Sequence, residues 1–453
     1  MKSLFGTDGI RGEAGSFPLD ASTVSIIGFS LARYLRDVAG RSPAIIIGRD
    51  TRESGAWLEQ ALTEGAVAAG AECRSAGVIT TPGIAFLTRS LKADAGIVIS
   101  ASHNPYYDNG IKIFSPSGRK LDDSIERRIE ADILSESKQD LPPHTGRITS
   151  STPEDEESLK QRYLAFLSEE IGKELSLKAL SIVIDCANGA SSNLAPALFV
   201  RLGARTVAIN NQPDGRNINQ DCGSLHIESL QRRVVEEKAD LGVAFDGDAD
   251  RALFIDSKGT FIDGDATLWV LAQHLHTNGQ LKGDTVVATV MSNIGLEIAL
   301  RSRGLRLVRT DVGDKYVLEE LLRLGASLGG EQSGHIIFPQ LSLAGDGMLT
   351  ALCLLQALQD QGKSLAEMTT GFERYPQVLV NVQVREKRPF SEIPSLQDAV
   401  KETEEKLSQK GRLLLRYSGT ETLARIMIEG ERQSDIEGYA RQIARVIERE
   451  IGA

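Results

Sequence analysis

A strand-loop-helix-strand pattern recurs three times along the chain. In each copy, an apolar and largely β-branched stretch runs into a polar or glycine-rich loop, then a segment of helical periodicity, a glycine and a second apolar stretch. The first strands are predicted at residues 44–48, 181–185 and 285–289, the helices at 58–69, 194–202 and 296–303, and the second strands at 73–78, 206–209 and 305–309. Strands without polar alternation are typical of parallel sheets covered on both faces. The pattern therefore predicts an α/β fold with three similar domains.

The C-terminal part of the chain follows a different pattern. Residues 378–384 alternate with period two, and helical periodicity covers 396–409 and 435–451. Short strands are predicted at 412–415 and 424–428, which makes this part a smaller α+β domain. We expect four domains, at 1–150, 151–253, 254–372 and 373–453, of which the first three have mixed, mostly parallel sheets. The stretch 138–157 lacks periodicity and is rich in Pro, Ser, Thr and acids, so it is predicted to be a boundary or surface loop.

Charge and cysteine content narrow the class of protein. The chain has 453 residues, and 51 Lys and Arg against 62 Asp and Glu give a net charge of −11, which disfavours binding to nucleic acid or to an anionic membrane. The four cysteines match neither a zinc pair nor a disulfide framework and are expected to be reduced and mostly buried. No run of 18 apolar residues and no leader pattern occur, so the expected compartment is the cytoplasm.

A serine loop follows a short apolar strand predicted at residues 96–100. The loop reads Ala-Ser-His-Asn-Pro, and Ser102 is the nucleophile candidate because ligands of α/β proteins bind at the carboxyl ends of parallel strands. His103 and Lys112 supply protons or positive charge within a few residues. Taken alone, the loop is also compatible with a structural turn that carries a surface serine.

Three aspartates follow the strand predicted at residues 241–245. Asp246, Asp248 and Asp250 have the spacing i, i+2, i+4, which in an extended backbone places three carboxylates on one side. Hard oxygen ligands suit Mg²⁺ or Ca²⁺, and a substrate phosphate commonly completes a magnesium shell. The EF-hand pattern fails because Arg251 and Ser257 stand where Gly and Glu are required. An acidic solvated turn is the alternative, although three clustered acids repel one another without a cation.

Two further loops are candidates for binding sugar and phosphate. Residues 330–335 (GEQSGH) offer Glu331 and Ser333 to sugar hydroxyls, with a plain turn as an equal alternative. Residues 416–421 (RYSGTE) combine an arginine, two hydroxyls and a glycine, and Arg425 follows, so they can cradle an anion. Taken in isolation, Ser-Gly-Thr is also common in plain turns. Nucleotide, dinucleotide, zincin and hydrolase-elbow motifs are missing from the sequence.

In this order and on this domain layout, the four loops together resemble the α-D-phosphohexomutase superfamily, and most closely its bacterial phosphoglucosamine mutases. The resemblance covers essentially the whole chain from FGTDGIRG at residues 5–12 onward. It implies four domains around a central cleft. It also implies catalytic roles for Ser102, His103, Lys112 and Arg11, and one Mg²⁺ per chain bound by Ser102, Asp246, Asp248 and Asp250. The substrate-binding residues that it implies are Arg251, Glu331, Ser333, His335, Arg416, Ser418, Gly419, Thr420 and Arg425.

The resemblance also implies the reaction. Phosphorylated Ser102 would exchange a phosphoryl group with glucosamine 6-phosphate and glucosamine 1-phosphate through a sugar bisphosphate, while the C-terminal domain closes over the sugar. The expected partners are this hexosamine phosphate and its bisphosphate, and a homodimer is one option for the assembly. Within the superfamily, a phosphomannomutase or phosphoglucomutase is the alternative. Outside it, the alternative is a non-catalytic sugar-phosphate sensor, which would have no need of the acceptor hydroxyl.

Two departures from the superfamily pattern concern the binding loops. Ala249 stands in the acidic loop where family members often have glycine. Tyr417 and Thr422 stand where the common phosphate loop has proline, and the loss of two prolines loosens the preorganisation of that loop.

Overall fold

The strands of the described residues form four sheets, and each sheet consists of strands that follow one another along the chain. In the computed structural model, residues 4–6, 8–135, 151–418 and 421–453 are described. Among the described residues, these sheets have six, five, four and three strands, respectively. The first three sheets are mixed and belong to α/β domains, and the fourth belongs to a smaller C-terminal domain, as the sequence predicts.

The first domain contains β1 (Phe5–Gly6), β2 (Gly9–Glu13), α1 (Ala21–Ala39), β3 (Ala44–Arg49), α2 (Gly55–Ala68), β4 (Glu72–Val78), α3 (Thr81–Ser90), β5 (Ala95–Ile99), β6 (Asp108–Phe114) and α4 (Asp123–Ser135). Strand β3 pairs in parallel with β4 and with β5. Strands β6, β2 and β1 extend this sheet by antiparallel pairing. The serine loop leaves the sheet at the carboxyl end of β5.

The second domain contains α5 (Pro153–Ala165), β7 (Ser181–Asp185), α6 (Leu194–Arg201), β8 (Arg205–Ile209), α7 (Glu228–Glu236), β9 (Leu241–Phe245), β10 (Ala252–Asp256) and β11 (Phe261–Ile262). A π-helical segment, Phe166–Ile171, continues α5. Strand β7 is parallel to β8 and β9, whereas β9 and β10 form an antiparallel hairpin. The connection within this hairpin is the acidic loop.

The third domain contains α8 (Gly264–Thr277), β12 (Thr285–Thr289), α9 (Ile294–Ser302), β13 (Arg306–Thr310), α10 (Asp314–Leu324), β14 (Leu328–Gly330), β15 (Ile336–Ile337), α11 (Gly347–Gln361) and α12 (Leu365–Met368). Strands β14 and β15 pair antiparallel on either side of the loop that contains Glu331 and Ser333.

The C-terminal domain contains β16 (Gln377–Gln383), α13 (Pro394–Leu407), β17 (Arg412–Tyr417), β18 (Leu423–Glu429) and α14 (Gln433–Ile451). Its sheet is antiparallel. Two compact units divide the chain: the first is Met1–Val290 with Val308–Thr370, and the second is Met291–Leu307 with Gly371–Ala453. Helix α9 thus belongs to the same unit as the C-terminal sheet.

A buried carboxylate holds α9 within this second unit. Glu429, with no exposed surface, accepts hydrogen bonds from the Ile294 amide at 3.0 Å and from the Asn293 side chain at 3.2 Å. Arg412 forms an ion pair with the same carboxylate at 2.9 Å. A carboxylate of the C-terminal sheet therefore compensates the partial positive charge at the N-terminus of α9 and accepts from its first amide group.

The predicted loop at residues 138–157 is wrong in its C-terminal part, and residues 138–150 lie outside the described residues. Pro153 opens α5, and Thr152 caps this helix in a reciprocal capping box with Asp155. The acids that suggested a surface loop therefore form the first turn of a helix, where negative charge is favoured. The prediction for the cysteines is confirmed: all four are free thiols, and three are buried.

No helix of the described residues has the length and apolar character that crossing a lipid bilayer requires.

Two glycines allow α1 and α2 to pack with their backbones in close contact. A Cβ atom on Gly28 would overlap the carbonyl oxygen of Leu62, and one on Gly65 would overlap that of Ser25. Both positions are buried in the core of the first domain. Because backbone atoms cannot move aside as a flexible side chain can, any side chain here forces the helices apart.

We expect Gly65→Ala to destabilise the first domain by roughly 1–3 kcal/mol, because overpacking outweighs the gain in helix propensity. Gly438→Ala is the matched control in α14, where an added Cβ meets no atom within 4 Å, and it should stabilise by roughly 0.5–1 kcal/mol. Calorimetric unfolding of both variants measures the difference. Equal effects of the two substitutions would contradict the packing argument.

Candidate active site

The serine loop and the acidic loop meet between the first and second domains. Ser102 Oγ donates a hydrogen bond to Asp246 Oδ2 at 2.5 Å, although 144 positions separate the two residues. Ser102 is 1% exposed and Asp246 has no exposed surface. The structure thus places the candidate nucleophile directly beside the candidate metal ligands.

The three aspartates converge because the acidic loop is a tight turn, not the extended backbone that the sequence analysis assumed. Residues 246–251 join the two strands of the hairpin, and the Ala249 amide bonds back to the Asp246 carbonyl at 3.0 Å. Ala249 has φ +56, a left-handed conformation that favours glycine. Carboxylate oxygens of Asp246, Asp248 and Asp250 lie within 4.8 Å of one another.

Buried like charges dominate the electrostatics of this cluster. Burial, with Asp250 and Asp248 nearby, raises the pKa of Asp246 well above its ordinary value. Burial acts in the same direction on Asp250, but Lys112 and His335 lower the pKa of that carboxyl well below its usual range. The cluster therefore carries negative charge that needs compensation by cations.

The donor set fits a divalent cation. Asp248 Oδ2 accepts hydrogen bonds from Thr81 Oγ1 at 2.6 Å and from Lys112 Nζ at 2.8 Å. The other oxygen of Asp248 is buried and has no hydrogen-bond partner among the described residues, and Oδ1 of Asp250 has only longer contacts, with His335 Nδ1 at 3.6 Å and Arg251 Nε at 3.8 Å. Buried carboxylate oxygens left in this state are costly unless an ion satisfies them. Hard oxygens of this kind are typical ligands of Mg²⁺ and Ca²⁺.

Basic side chains lie against the acidic cluster and the serine loop. Lys112 is 2% exposed; burial alone would lower its pKa, but Asp248, Asp8 and Asp250 raise it well above the ordinary value, so the ammonium group stays charged. Arg11 Nη1 lies 3.4 Å from the Ala101 carbonyl oxygen. Arg251 Nε lies 3.8 Å from Asp250 Oδ1.

His103 lies next to the serine hydroxyl and is neutral. Its Nδ1 is 3.4 Å from Ser102 Oγ. Burial, together with Arg251 and Arg11, lowers the pKa of His103 to about 4. At neutral pH the ring is therefore unprotonated and can accept a proton directly.

The predicted sugar loop faces the same cleft. A cavity of about 560 Å³ is lined by Arg11, His103, Arg251, Glu331 and His335, among others. Glu331 accepts from the Gly313 amide at 3.1 Å and from Ser333 Oγ at 3.3 Å. His335 Nδ1 lies 3.6 Å from Asp250 Oδ1. The residues around this cavity combine arginine and histidine side chains with carboxylate groups, which suits a phosphorylated sugar because the cations can bind phosphate and the carboxylates can accept from sugar hydroxyls.

The predicted phosphate loop lies in the second compact unit. Arg416 and Arg425 occupy paired positions on β17 and β18. Arg425 Nη2 donates to Ser418 Oγ at 3.3 Å and to Glu421 Oε2 at 2.9 Å. Gly419 and Thr420 lie outside the described residues.

Several residues near the site were missed by the sequence analysis. Asp8 forms ion pairs with Arg11, with Lys112 at 3.2 Å and with Lys120 at 2.7 Å, and Thr81 contacts Asp248. Arg52 and Asn219 contact the serine loop itself, and Asp50 accepts a hydrogen bond from Ser100 directly before it. The position of Asp50 and Arg52, directly after β3, is the signal that could have found them, because β3 and β5 end at the same edge of the sheet.

Four models of the phosphoglucomutase/phosphomannomutase family match the chain. The alpha/beta/alpha domains I, II and III match residues 2–140, 161–259 and 263–375, and the C-terminal domain matches residues 379–446. A phosphoglucosamine mutase of Solibacter usitatus is 50% identical over 451 residues, which cover 100% of this chain and 99% of that protein. The phosphoglucosamine mutase of Caldicellulosiruptor saccharolyticus is 48% identical, with 99% of each chain covered.

Solved structures share the fold. A phosphoglucomutase/phosphomannomutase family protein from Burkholderia thailandensis superposes with a TM-score of 0.79 at 23% identity, covering 100% of both chains. An Aspergillus fumigatus N-acetylphosphoglucosamine mutase in complex with GlcNAc-6P and magnesium gives a TM-score of 0.65 at 18% identity, covering 98% of this chain and 95% of that one.

Fold and site together define a phosphohexomutase, an isomerase that transfers a phosphoryl group within a sugar phosphate. The chain belongs to the phosphoglucomutase/phosphomannomutase family of the α-D-phosphohexomutase superfamily.

Adding Mg²⁺ to the metal-free protein should raise its unfolding midpoint, because a cation removes the repulsion among three buried carboxylates. At a free concentration 100 times the Kd, the stabilisation is about 2.7 kcal/mol. Calorimetry with and without Mg²⁺ measures it, and the isosteric variant Asp248→Asn should lose most of the shift. The same midpoint in both conditions for the wild type would contradict a metal site here.

His335 should make stability depend on pH in the metal-free protein. Burial would lower its pKa, but Asp250, helped by Asp314 and Glu331, raises it to about 9 from the ordinary value of 6.5. Because the folded pKa is the higher one, the stabilisation is complete below pH 6.5 and is lost as the pH rises to 9. The advantage of wild type over His335→Gln should shrink by on the order of 3 kcal/mol across this range. Urea unfolding at several pH values tests this; a constant difference would argue against a charged His335.

Proposed function

We propose that this chain interconverts glucosamine 6-phosphate and glucosamine 1-phosphate, with Ser102 as the phosphoryl carrier. The observation that carries the proposal is the 2.5 Å contact between Ser102 Oγ and Asp246, inside a cluster of acids that fits a divalent cation. The full-length phosphoglucosamine mutases at 50% and 48% identity support the choice of sugar.

In the proposed reaction, phosphorylated Ser102 gives its phosphoryl group to one hydroxyl of the sugar phosphate. The bond between phosphorus and Ser102 Oγ breaks, a bond to the sugar oxygen forms, and the hydroxyl proton leaves the sugar. The resulting bisphosphate then returns its other phosphoryl group to Ser102 by the reverse steps. Phosphorylation of Ser102 is thus required for activity, and atoms balance over the cycle without any outside donor.

The basic residues would stabilise the transferring group. Phosphoryl transfer depends mainly on positioning and on neutralising the equatorial oxygens. Lys112 remains charged in the fold, and Arg11 lies against the serine loop, so both can act on these oxygens. His103, neutral and 3.4 Å from Ser102 Oγ, is suited to accept or return the proton.

We assign one Mg²⁺ per chain to Asp246, Asp248, Asp250 and Ser102. When bound, the ion would draw charge from the phosphate oxygens. The three carboxylates would hold it, and Thr81 and Lys112 would keep Asp248 oriented through their contacts with Oδ2.

The remaining residues would bind the rest of the substrate. We assign Glu331, Ser333 and His335 to the sugar, with Arg251 beside the acidic loop. For the phosphate that does not react, we assign Arg416, Ser418, Gly419, Thr420 and Arg425. Arginine is suited to this because its planar guanidinium group binds phosphate through two parallel hydrogen bonds.

A side-by-side kinetic comparison tests the substrate. With Mg²⁺ and a trace of the matching bisphosphate, kcat/KM for glucosamine phosphate should exceed the values for glucose and mannose phosphates by about tenfold or more, equivalent to roughly 1.4 kcal/mol. A higher kcat/KM for glucose or mannose phosphate would show that the assigned sugar is wrong, while the proposed mutase reaction would stand.

Label transfer tests the carrier in the same preparation. Phosphorus-labelled bisphosphate should label wild-type Ser102 and leave Ser102→Ala unlabelled and inactive. Label on another residue, or turnover by Ser102→Ala, would show that Ser102 is not the phosphoryl carrier. The argument against a non-catalytic sugar-phosphate sensor, which rests on the Ser102 hydroxyl, would then fail as well.

A further inference from the structure

Ser102 has a backbone conformation that serine seldom adopts. Its φ is +52, in the left-handed region where a Cβ atom is crowded by the following carbonyl group. Such a conformation persists only where the surroundings fix it. The residue is 1% exposed, so protein groups, and not solvent, must supply the fixing contacts.

Arg52 binds one side of the serine loop through several carbonyl groups. Its Nη2 donates to the Ser102 carbonyl at 2.9 Å and to the Asn104 carbonyl at 2.8 Å. Its Nη1 donates to the carbonyl of Pro105. A planar guanidinium group can serve three carbonyl oxygens at once, whereas a lysine ammonium group in the same place could not match this geometry.

Asp50 holds Arg52 in place and connects it to the other side of the loop. The side chains of the two residues are completely buried, with Arg52 Nε 2.9 Å from Asp50 Oδ2. Ser100 Oγ donates to the same carboxylate at 2.6 Å and accepts from the Ser102 amide at 2.9 Å. The amide and the carbonyl of Ser102 are therefore both anchored to one buried ion pair.

Asn219 reaches the same carbonyl from the second domain. Its Nδ2 donates to the Ser102 carbonyl at 2.9 Å and to the Asn104 carbonyl at 3.2 Å. Asn219 itself has φ +58, which asparagine tolerates better than most residues. The Ser102 carbonyl thus accepts two hydrogen bonds, one from each of the domains that form the site.

Phosphorylation changes what holds the serine. The hydrogen bond from Ser102 Oγ to Asp246 needs the hydroxyl proton, and a phosphorylated Oγ carries none. The side chain thus loses its own anchor in the form that donates the phosphoryl group. The contacts to the backbone of residue 102 are unaffected by this change.

We propose that Arg52 and Asn219 are positioning residues that clamp the Ser102 carbonyl and keep Oγ directed at the acidic cluster before and after phosphorylation. The inference rests on the proposed phosphoryl-transfer function. Neither residue has a polar contact with the Ser102 hydroxyl, so both act through the backbone of the serine loop.

Asn219→Gly is the test variant, because glycine keeps the left-handed backbone accessible and removes only the amide group. Asn188→Gly is the matched control. Asn188 has φ +48 and is equally buried, and its amide group donates to the Asn217 carbonyl and not to the serine loop. Intact-mass measurements follow the rate at which Ser102 takes up phosphate from glucose 1,6-bisphosphate, and steady-state kinetics give kcat and KM.

In Asn219→Gly, the phosphorylation rate and kcat should fall about 100-fold with KM within about twofold, since small misplacements of a reacting group have effects of this size. Asn188→Gly should keep both within about twofold. Wild-type rates in Asn219→Gly would overturn the positioning role. A wild-type protein that takes up no phosphate would instead overturn the proposed function, and the positioning role with it.

A second variant covers the case in which Asn219→Gly does not fold. Asn219→Asp keeps the side-chain shape and the tolerance for the left-handed backbone, but turns the donor into an acceptor that repels the Ser102 carbonyl. The same loss of kcat at unchanged KM is expected, and wild-type rates would again overturn the proposal.

Discussion

The repulsion among three buried carboxylates is the constraint on which the rest of the site depends. Two unit charges about 4 Å apart repel by roughly 4 kcal/mol at the effective dielectric constant of a protein, and here three acids and a phosphorylated serine would share one pocket. The buried residues Lys112 and His335 and the half-buried Arg251 surround the cluster. Without a bound cation these groups compensate only part of the charge of three acids and a phosphoserine, so the cluster favours a divalent ion.

The residues of the candidate site come from three domains. The serine comes from the loop after β5, the acids from the hairpin between β9 and β10, and the sugar loop from the turn between β14 and β15. None of these loops contains a complete site, because the hydroxyl, its acidic neighbours and the cavity wall belong to different sheets. Contacts between the first two domains, such as that of Asn219 with the serine loop, therefore help to assemble the candidate site.

The sequence predicted the architecture better than the local geometry. The strand expected at 181–185 has those bounds in the structure, because its apolar run is sharply delimited by polar residues. Helix α2 begins three residues earlier than its periodicity indicates, since Ser54 forms no side-chain cap that would mark the start. The position of the acidic loop was predicted, but its tight turn was not. The reason is that alanine gives no sign in the sequence of the left-handed backbone that Ala249 adopts. Asn219 escaped notice because its side chain contacts the backbone of a residue 117 positions away, which no local pattern reveals.

The buried Glu429 carboxylate has a consequence for recombining this enzyme with its relatives. By sequence, the last domain begins near residue 373, yet Glu429 is bonded to Asn293 and to the first turn of α9, about 135 positions upstream. A chimaera joined at the sequence boundary would pair a foreign sheet with the native α9. Where that sheet has no acid at the position of Glu429, the buried donors at the start of α9 lose their acceptor, which is costly. Grafts that transfer residues 291–307 together with the C-terminal domain preserve the bond, so the natural module for exchange is discontinuous in the gene.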